Sequence, residues 1–267
     1  MVAPTYDLLD RRVLALLTFT DVLGASVLSP VSVAAGGVRL FAKRPGALVI
    51  AEAPGFEAYS AAFDPIPAAP AVGSVTLQLD IRPADPALAA RRVRVALPRD
   101  PDPARSDQPD SLFQPIEVAL LPTPLAELAG LTAALSVTVR RADDNRRIEG
   151  ALVRLRPEGG RPEARAMTDA AGDALLLVPG VPLASPGAGA VVRHDITADL
   201  DAVVDPLLAR FHRDQDLAEA RDAAGRRTRD FIDPDDVATR LSGAATSPQV
   251  VRVAAGRTHV ATIAWTP

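Results

Sequence analysis

Cysteine is absent from the 267 residues of this chain, and aromatic residues make up only 4% of them. The lack of cysteine excludes a disulfide framework and any thiolate metal site. The scarcity of aromatic rings leaves little surface on which sugars or nucleic-acid bases could stack, because that kind of binding depends on aromatic faces. It also requires a hydrophobic core built from valine, leucine, isoleucine and alanine.

Long apolar runs and an excess of positive charge are missing too. No stretch approaches the roughly 20 apolar residues of a membrane-spanning helix. Residues 11–17 place an arginine pair before a short apolar run, but Asp7 and Asp10 stand where an export signal needs positive charge. The net charge of −4 argues against a nucleic-acid binder. We therefore predict no membrane span, no nucleic-acid partner, and a cytoplasmic location in preference to secretion.

Proline and glycine, by contrast, are plentiful, at 25 and 17 residues. They favour many turns and few long helices, and they punctuate two stretches of the chain in the same order. Each stretch runs strand, polar turn, strand, glycine turn, strand and Pro-Gly turn. The corresponding segments are 13–20, 21–24, 30–33, 44–46, 47–51 and 54–56 in the first stretch, and 135–139, 143–145, 150–155, 168–172, 174–178 and 179–181 in the second. Because internal repetition sets the unit of architecture, we expect two related β-sandwich modules.

Short apolar or alternating segments predict the strands of both modules. Residues 74–80 and 92–97 alternate polar and apolar side chains, which is the period of a half-buried strand. Further strands are predicted at 13–20, 31–33, 38–42, 47–51, 116–121, 135–140, 151–156, 174–178, 249–254 and 258–265. The prediction is an all-β protein with an N-terminal module over residues 1–124, a linker over 125–132 and a C-terminal module over 133–267.

A segment of different character, about 200–242, interrupts the second module. Asp205 and Asp233 each stand directly before a proline. This suits the start of a helix, because the carboxylate accepts hydrogen bonds from free amides and proline is tolerated in the first turn. Short helices are therefore predicted at 207–211, within 214–224 and at 237–241, which makes the insertion partly helical.

Histidines and clustered aspartates are the first candidates for metal binding. His194, His212 and His259 are the only histidines, and none has a second histidine at the spacing of a zinc site. A group of aspartates at positions 233, 235 and 236 raises the possibility of calcium. The proline at 234 and the lack of a following glycine break the EF-hand pattern. Helix capping is the preferred interpretation of these aspartates, and adventitious cation binding is the alternative.

The remaining carboxylates do not form a recognisable catalytic group. Asp100 and Asp102 lie in the proline-rich stretch 98–110, which is predicted to be an exposed, extended loop with solvated carboxylates. An enzyme would have to use residues such as Asp195, Asp199 and Asp201, and nothing in the sequence selects them over a solvated loop. No nucleophile elbow or phosphate-binding loop occurs. We predict no catalytic residue, no cofactor and no metal.

Paired arginines recur along the chain, and several pairs flank predicted strands. Charged residues at such positions discourage edge-to-edge aggregation. A basic docking patch for an acidic protein partner is the alternative. The pairs stand at 11–12, 91–92, 140–141, 146–147 and 226–227.

The second module resembles the carboxypeptidase regulatory-like, or transthyretin-like, β-sandwich family. The likeness rests on the segment Thr-Asp-Ala-Ala-Gly at 168–172, followed by an apolar strand and Pro-Gly at 179–180, and on the preceding strand 148–153. The first module matches less closely, since Arg-Pro-Gly at 44–46 replaces the Thr-Asp turn. The resemblance covers about half the chain and implies a fold more strongly than a function.

The arrangement as a whole is similar to accessory proteins of phage-tail-like contractile injection particles, through residues 91–103 and the acidic segment 233–236. This likeness implies a non-enzymatic structural or adaptor protein that contacts other protein subunits, with loops 98–115 and 200–242 as the contact candidates. Such a protein is expected in the cytoplasm, within a particle that is later released. The alternative is a secreted or surface-displayed binding module, such as an adhesin or a peptidase-accessory domain.

Overall fold

The computed structural model describes residues 12–61, 67–127, 132–181, 186–187, 190–191, 195–216 and 231–267. Strands dominate these residues, so the prediction of an all-β protein is confirmed. Most strands are short and end at a turn that contains glycine, proline or aspartate. The predicted strands at 249–254 and 258–265 occur with those bounds, and the others differ by a few residues at their ends.

The described residues of the first half form seven strands and one single-turn helix. They are β1 (Ala15–Asp21), β2 (Val31–Ala34), β3 (Arg39–Arg44), β4 (Ala47–Glu52), α1 (Glu57–Ser60), β5 (Val75–Pro83), β6 (Arg91–Leu97) and β7 (Ile116–Leu120).

The second half contains more strands and a second short helix. They are β8 (Ala133–Arg141), β9 (Arg147–Glu149), β10 (Leu152–Pro157), β11 (Ala164–Met167), β12 (Asp173–Val178), β13 (Pro186–Gly187), β14 (Ala190–Val191), β15 (Asp195–Val203), β16 (Arg210–His212), α2 (Pro234–Arg240), β17 (Gln249–Ala254) and β18 (Thr258–Trp265).

Strand pairing follows the same plan in both halves. In the first half, β1 pairs antiparallel with β4 and parallel with β7; in the second, β8 pairs antiparallel with β12 and parallel with β18. A separate sheet joins β2, β5 and β6 in the first half and β10, β15 and β17 in the second, with all neighbours antiparallel. The halves differ in that β3 pairs with β4 whereas β11 pairs with β10. The second half also has the strands β9 and β16, which pair with each other, and the two-stranded sheet of β13 and β14.

Each half has its own hydrophobic core, which draws side chains from both of its main sheets. In the first half, Leu17 of β1 and Ile50 of β4 pack in one cluster with Leu79 of β5. In the second, Val137 of β8 packs in a cluster with Leu155 of β10. These cores contain few aromatic side chains, as the composition predicts. A third, smaller cluster holds α2 through Val237 and Ile232.

One turn geometry occurs twice and rests on an Asp-x-x-Gly sequence. Asp21 and Asp169 each accept, through Oδ1, from the amides two and four residues further on, at 2.8–3.1 Å. Gly24 and Gly172 complete the turns at φ +83° and +69°, a region that glycine enters without strain. The sequence repeat instead aligned the turn at 21–24 with residues 143–145. The two aspartate turns are alike in geometry but not in their place in the repeat.

The interrupting segment is less helical than predicted. Residues 200–203 belong to β15, and the helix predicted at 207–211 is wrong. Asp205 does accept from the amide of Leu207 at 3.0 Å, but the chain makes a single turn there and then pairs as β16 with β9. A helix is present near the predicted 237–241, but it begins earlier, as α2 (Pro234–Arg240). Residues 214–216 form one 3-10 turn. The rest of the predicted helix at 214–224 lies outside the described residues, as does 128–131 of the linker.

Candidate protein-binding site

Two of the three histidines have partners within the chain. His212 Nε2 lies 2.6 Å from Glu149 Oε2, and this glutamate is buried. His259 accepts through Nε2 from the amide of Ala254 at 3.2 Å. His194 lies outside the described residues. Within the part of the chain that the structure describes, no three His, Asp or Glu side chains come together as a metal site would require.

The acidic group at the start of α2 is bound by arginines and by the helix itself. Asp233 caps α2, accepting through Oδ1 from the amides of Asp235 and Asp236 at 3.1 and 3.3 Å, as the sequence predicted. Asp235 pairs with Arg91 at 2.6 Å and also with Arg165 at 3.0 Å. Each carboxylate in the group therefore already has its donors or cations.

The charges of this cluster hold two of its aspartates in the ionised form. Burial raises the pKa of Asp235, but the positive charges of Arg91 and Arg165 outweigh it and leave the pKa below the ordinary value. The pKa of Asp236 is lowered chiefly by the hydrogen bond from Arg240, with a further contribution from Arg94. In the ionised form these carboxylates act as hydrogen-bond acceptors and ion-pair partners of the surrounding arginines.

The cluster joins the two halves of the chain. Arg91 and Arg94 belong to β6 in the first half, whereas α2 belongs to the second. The amide of Arg92 donates to the carbonyl of Ile232 at 2.9 Å, so the segment before α2 bonds to the edge of β6. The guanidinium of Arg82 lies over the ring of Phe231, 4.7 Å from its centre. Residues 231–240, predicted to contact a partner protein, thus contact the first half of their own chain.

Asp201 forms the most buried ion pair of the second half. Its side chain is 2% exposed and lies opposite Arg154 in the neighbouring strand, with an Nε–Oδ1 distance of 2.8 Å and a second contact to Arg156. Asp199 is exposed on the same strand, and Asp195 begins it. The sequence analysis does not predict strand β15. Its signal is nevertheless present, because apolar residues alternate with polar ones at Ile196, Ala198, Leu200 and Ala202.

The proline-rich loop 98–115 is exposed over much of its length, as predicted, but it is not extended. Asp100 is buried and pairs with Arg105 at 2.6 Å. Asp102 caps a 3-10 turn through the amide of Ala104 at 2.9 Å. Arg99 donates to the carbonyl of Ser111 at 2.9 Å and ties the two ends of the loop together. The prolines therefore shape turns here, and the two aspartates satisfy backbone amides and a cation.

Several of the paired arginines bind carbonyls and carboxylates of their own chain, in addition to placing charge beside strands. Arg12 is buried and donates to the carbonyl of Tyr59 at 3.0 Å. Arg91 is 5% exposed and donates to the carbonyl of Ala119 at 2.7 Å, as well as pairing with Asp235. Arg147 pairs with Asp214 at 2.8 Å. These three side chains bind groups of their own chain; residues 11 and 226–227 lie outside the described part.

Several edge strands carry features that discourage pairing with another chain. The edge strand β3 contains Arg39, Lys43 and Arg44, and its pairing with β4 is interrupted by two register shifts. The outer edge of β6 is occupied by Ile232, and β7 has its Ala119 carbonyl bound by Arg91. Charges, bulges and covered groups are the usual protections of sheet edges.

Strand β18 has fewer of these protections within the described part of the chain. It is eight residues long, the longest edge strand in the described part, and pairs with β8 without a register shift. The carbonyl of Arg257 accepts from the amide of Ala134 in β8, and that of Trp265 accepts from Ala142, just after β8. The backbone groups of the even-numbered residues therefore point outward. Its exposed face carries Thr258, Val260, Thr262 and Ala264, none charged.

Among the described residues, nothing covers the outward edge of β18 along most of its length. Val260 is 80% exposed. The Thr262 carbonyl accepts from the side chain of Gln249 at 3.4 Å, at the long end of hydrogen-bond distances. His259 and Ile263 point to the other face, toward the protein. This edge can accept a further extended strand, because unpaired amides and carbonyls at β spacing are a template for strand addition.

Comparison with known proteins identifies no relative of this chain: it matches no known protein family, no curated protein and no solved structure. In the residues that the structure describes, no helix is both long and apolar enough to cross a membrane.

Proposed function

We propose that this chain is a non-enzymatic structural or adaptor protein that contacts other protein subunits through the outer edge of β18. The observation that carries the proposal is the eight-residue, uncharged edge strand with outward backbone groups. Such an edge recognises another extended backbone, and alternate exposed side chains add selectivity. The arginine-bound carboxylates support a non-enzymatic role, because their cations and capping amides hold them in structural contacts.

We also propose that the fold consists of two related β-sandwich modules. The shared pairing plan of β1, β4 and β7 with β8, β12 and β18 supports two related β-sandwich modules of the transthyretin-like kind. In this interpretation β3 and β11 are equivalent edge strands. The first pairs with β4 in one sheet, and the second pairs with β10 in the other sheet. Function does not follow from this fold alone, since one sandwich topology serves many roles.

We further propose that the protein is an accessory component of a phage-tail-like contractile injection particle, assembled in the cytoplasm. This proposal rests on the sequence resemblance through residues 91–103 and 233–236. Loop 98–115 remains the candidate for a second contact, because it is folded by its own hydrogen bonds and presents an exposed rim. A rigid, exposed loop orders few residues on binding, which lowers the entropic cost of contact.

The test is sedimentation of a lysate of the native host that produces the tagged chain, with the fractions analysed by mass spectrometry. The chain is expected to co-sediment with sheath-like and tube-like proteins in a very large assembly. Recovery of the chain alone at monomer or dimer size would contradict the particle assignment. Recovery from the culture medium would favour a secreted binding module instead.

Contact through β18 has its own test in the same host. Val260→Lys places a charge on the edge, and Val72→Lys places the same charge on an exposed residue of the first half. The first variant is expected to lose the proteins that crosslink to the wild-type chain, and the second to keep them. Equal crosslinking by both variants would contradict binding at β18.

A further inference from the structure

The edge of β18 has the arrangement that a strand needs to pair with a copy of itself. Its outward backbone groups belong to residues 258, 260, 262 and 264, two on each side of Ala261. In an antiparallel pair centred on Ala261, Thr258 faces Ala264 of the second copy and Val260 faces Thr262. Each facing pair exchanges two backbone hydrogen bonds, as in the narrow pairs of an antiparallel ladder.

We infer that the partner at this edge is a second copy of the chain, joined by antiparallel β18–β18 pairing centred on Ala261. This inference rests on the proposed function, whose partner it identifies. Any protein that adds to β18 must itself offer an extended backbone with unpaired amides and carbonyls, and a second copy offers its own β18. The interface is isologous, because a twofold axis relates the two copies and each contributes the same strand, β18.

The side chains on the exposed face suit this pairing. Thr258 and Ala264 are small, and Val260 beside Thr262 is a pair of β-branched residues of the type found across neighbouring strands. No charge in β18 meets its own symmetry copy. Arg257, the nearest flanking charge, lies opposite Trp265 of the second copy in this register. The twofold pair would therefore join two sheets without like charges facing each other at the contact.

Gln249 does not prevent the pairing. Its side-chain amide reaches the Thr262 carbonyl at 3.4 Å, and Gln249 itself is exposed at the start of β17. A neutral, exposed side chain can rotate to a solvent partner at small cost, because a weak exposed hydrogen bond contributes little to stability. In the first half, the corresponding contact is stronger, since Arg91 binds the Ala119 carbonyl at 2.7 Å and is itself buried.

Charge placement tests the register. The double variant Thr258→Lys/Ala264→Lys places lysine opposite lysine at two related positions, whereas Thr258→Lys/Ala264→Glu places lysine opposite glutamate at the same positions. Association of the purified full chain is measured by sedimentation velocity over a wide range of concentrations. The wild type is expected to dimerise, the double-lysine variant to associate about tenfold more weakly or worse, and the lysine–glutamate variant to retain the dimer. Thermal unfolding of all three is compared at a concentration too low for dimerisation, where it is expected to be equal because the substituted side chains are exposed.

Amide exchange measured residue by residue completes the test. In the dimer, the amides of residues 258, 260, 262 and 264 become protected as concentration rises. A wild-type chain that stays monomeric, or two charge variants that associate equally, would overturn the inference. If these amides are protected only when a different protein is added, the self-pairing fails while the proposed function stands. If nothing protects them in either case, both fail.

Discussion

At the scale of single residues, the buried ion pair of Asp201 and Arg154 shows how charge is used in this chain. Removing one partner leaves the other charged and desolvated, which costs more than removing both. Asp201→Ala is expected to lower the free energy of unfolding by about 3 kcal/mol. Arg154→Met/Asp201→Leu is expected to lose less, because no buried charge remains. Chemical denaturation of both variants, with Asp199→Ala as an exposed control on the same strand, measures the difference. Equal losses in the single and double variants would contradict this account.

The carboxylates in the first turn of α2 lead to a prediction about pH. The pKa values of Asp235 and Asp236 lie below the ordinary value of 3.8 in the folded chain. A lowered pKa in the folded state contributes stability above the unfolded-state pKa, and that stability is lost as pH falls through the folded value. The free energy of unfolding is therefore expected to decrease as the pH falls below about 4. Asp235→Asn should flatten this decrease, and an unchanged slope in the variant would show that the cluster does not contribute.

At the scale of elements, the two Asp-x-x-Gly turns form a matched pair. A Cβ added at Gly172 would lie 2.5 Å from the carbonyl oxygen of Val139, whereas one added at Gly24 would meet nothing within 4 Å. Both substitutions incur the left-handed backbone strain of about 1–2 kcal/mol. Gly172→Ala is expected to cost more than Gly24→Ala, because only the first forces backbone atoms apart. Thermal unfolding of the two variants tests this prediction. An equal decrease in Tm would mean that backbone strain alone explains both losses and that the contact with Val139 adds nothing.

The sequence was informative about strands and much less so about the segment after β15. Alternation in 74–80 and in 92–97 predicted β5 and β6, since one face of each strand packs on a core. Residues 195–203 alternate in the same way, but their aspartates favour a solvated loop; Asp201 is instead neutralised by Arg154 across the strands. The helix at 207–211 failed for a different reason. The cap at Asp205 is present, but pairing of β16 with β9 replaces the second turn, and such pairing depends on residues far away in sequence.

The candidate site was only partly predictable. The strand 258–265 followed from its apolar and β-branched residues, but its position at an unprotected edge depends on the order of strands in the sheet. That order is a property of tertiary pairing, because β8 takes β18 as a parallel neighbour from more than a hundred residues away. Likewise, the sequence could predict that Asp233 caps a helix, but not that Arg91 and Arg94 of the first half would bind the carboxylates beside it.

At the scale of the whole molecule, the segment 231–240 couples the two halves. Its contacts with β6 include two ion pairs across the halves, Arg91–Asp235 and Arg94–Asp236, and the backbone bond from Arg92 to Ile232. The chain has one tryptophan, Trp265, in the second half, so its fluorescence reports that half while circular dichroism reports all strands. Because the halves share these contacts, both signals are expected to change together when the wild type unfolds in denaturant.

Charge reversal at this junction should separate the two signals. Asp235→Lys/Asp236→Lys places like charges beside Arg91, Arg94, Arg165 and Arg240, which repels the segment from β6 and leaves each half to unfold at its own midpoint. The matched control Asp143→Lys/Asp144→Lys reverses two charges within a hairpin of the second half, where Arg141 and Arg146 are the partners. The junction variant is expected to show two transitions by circular dichroism and one by fluorescence, and the control a single shared transition. Coincident transitions in the junction variant would mean that other contacts, and not the arginine-bound segment, join the halves.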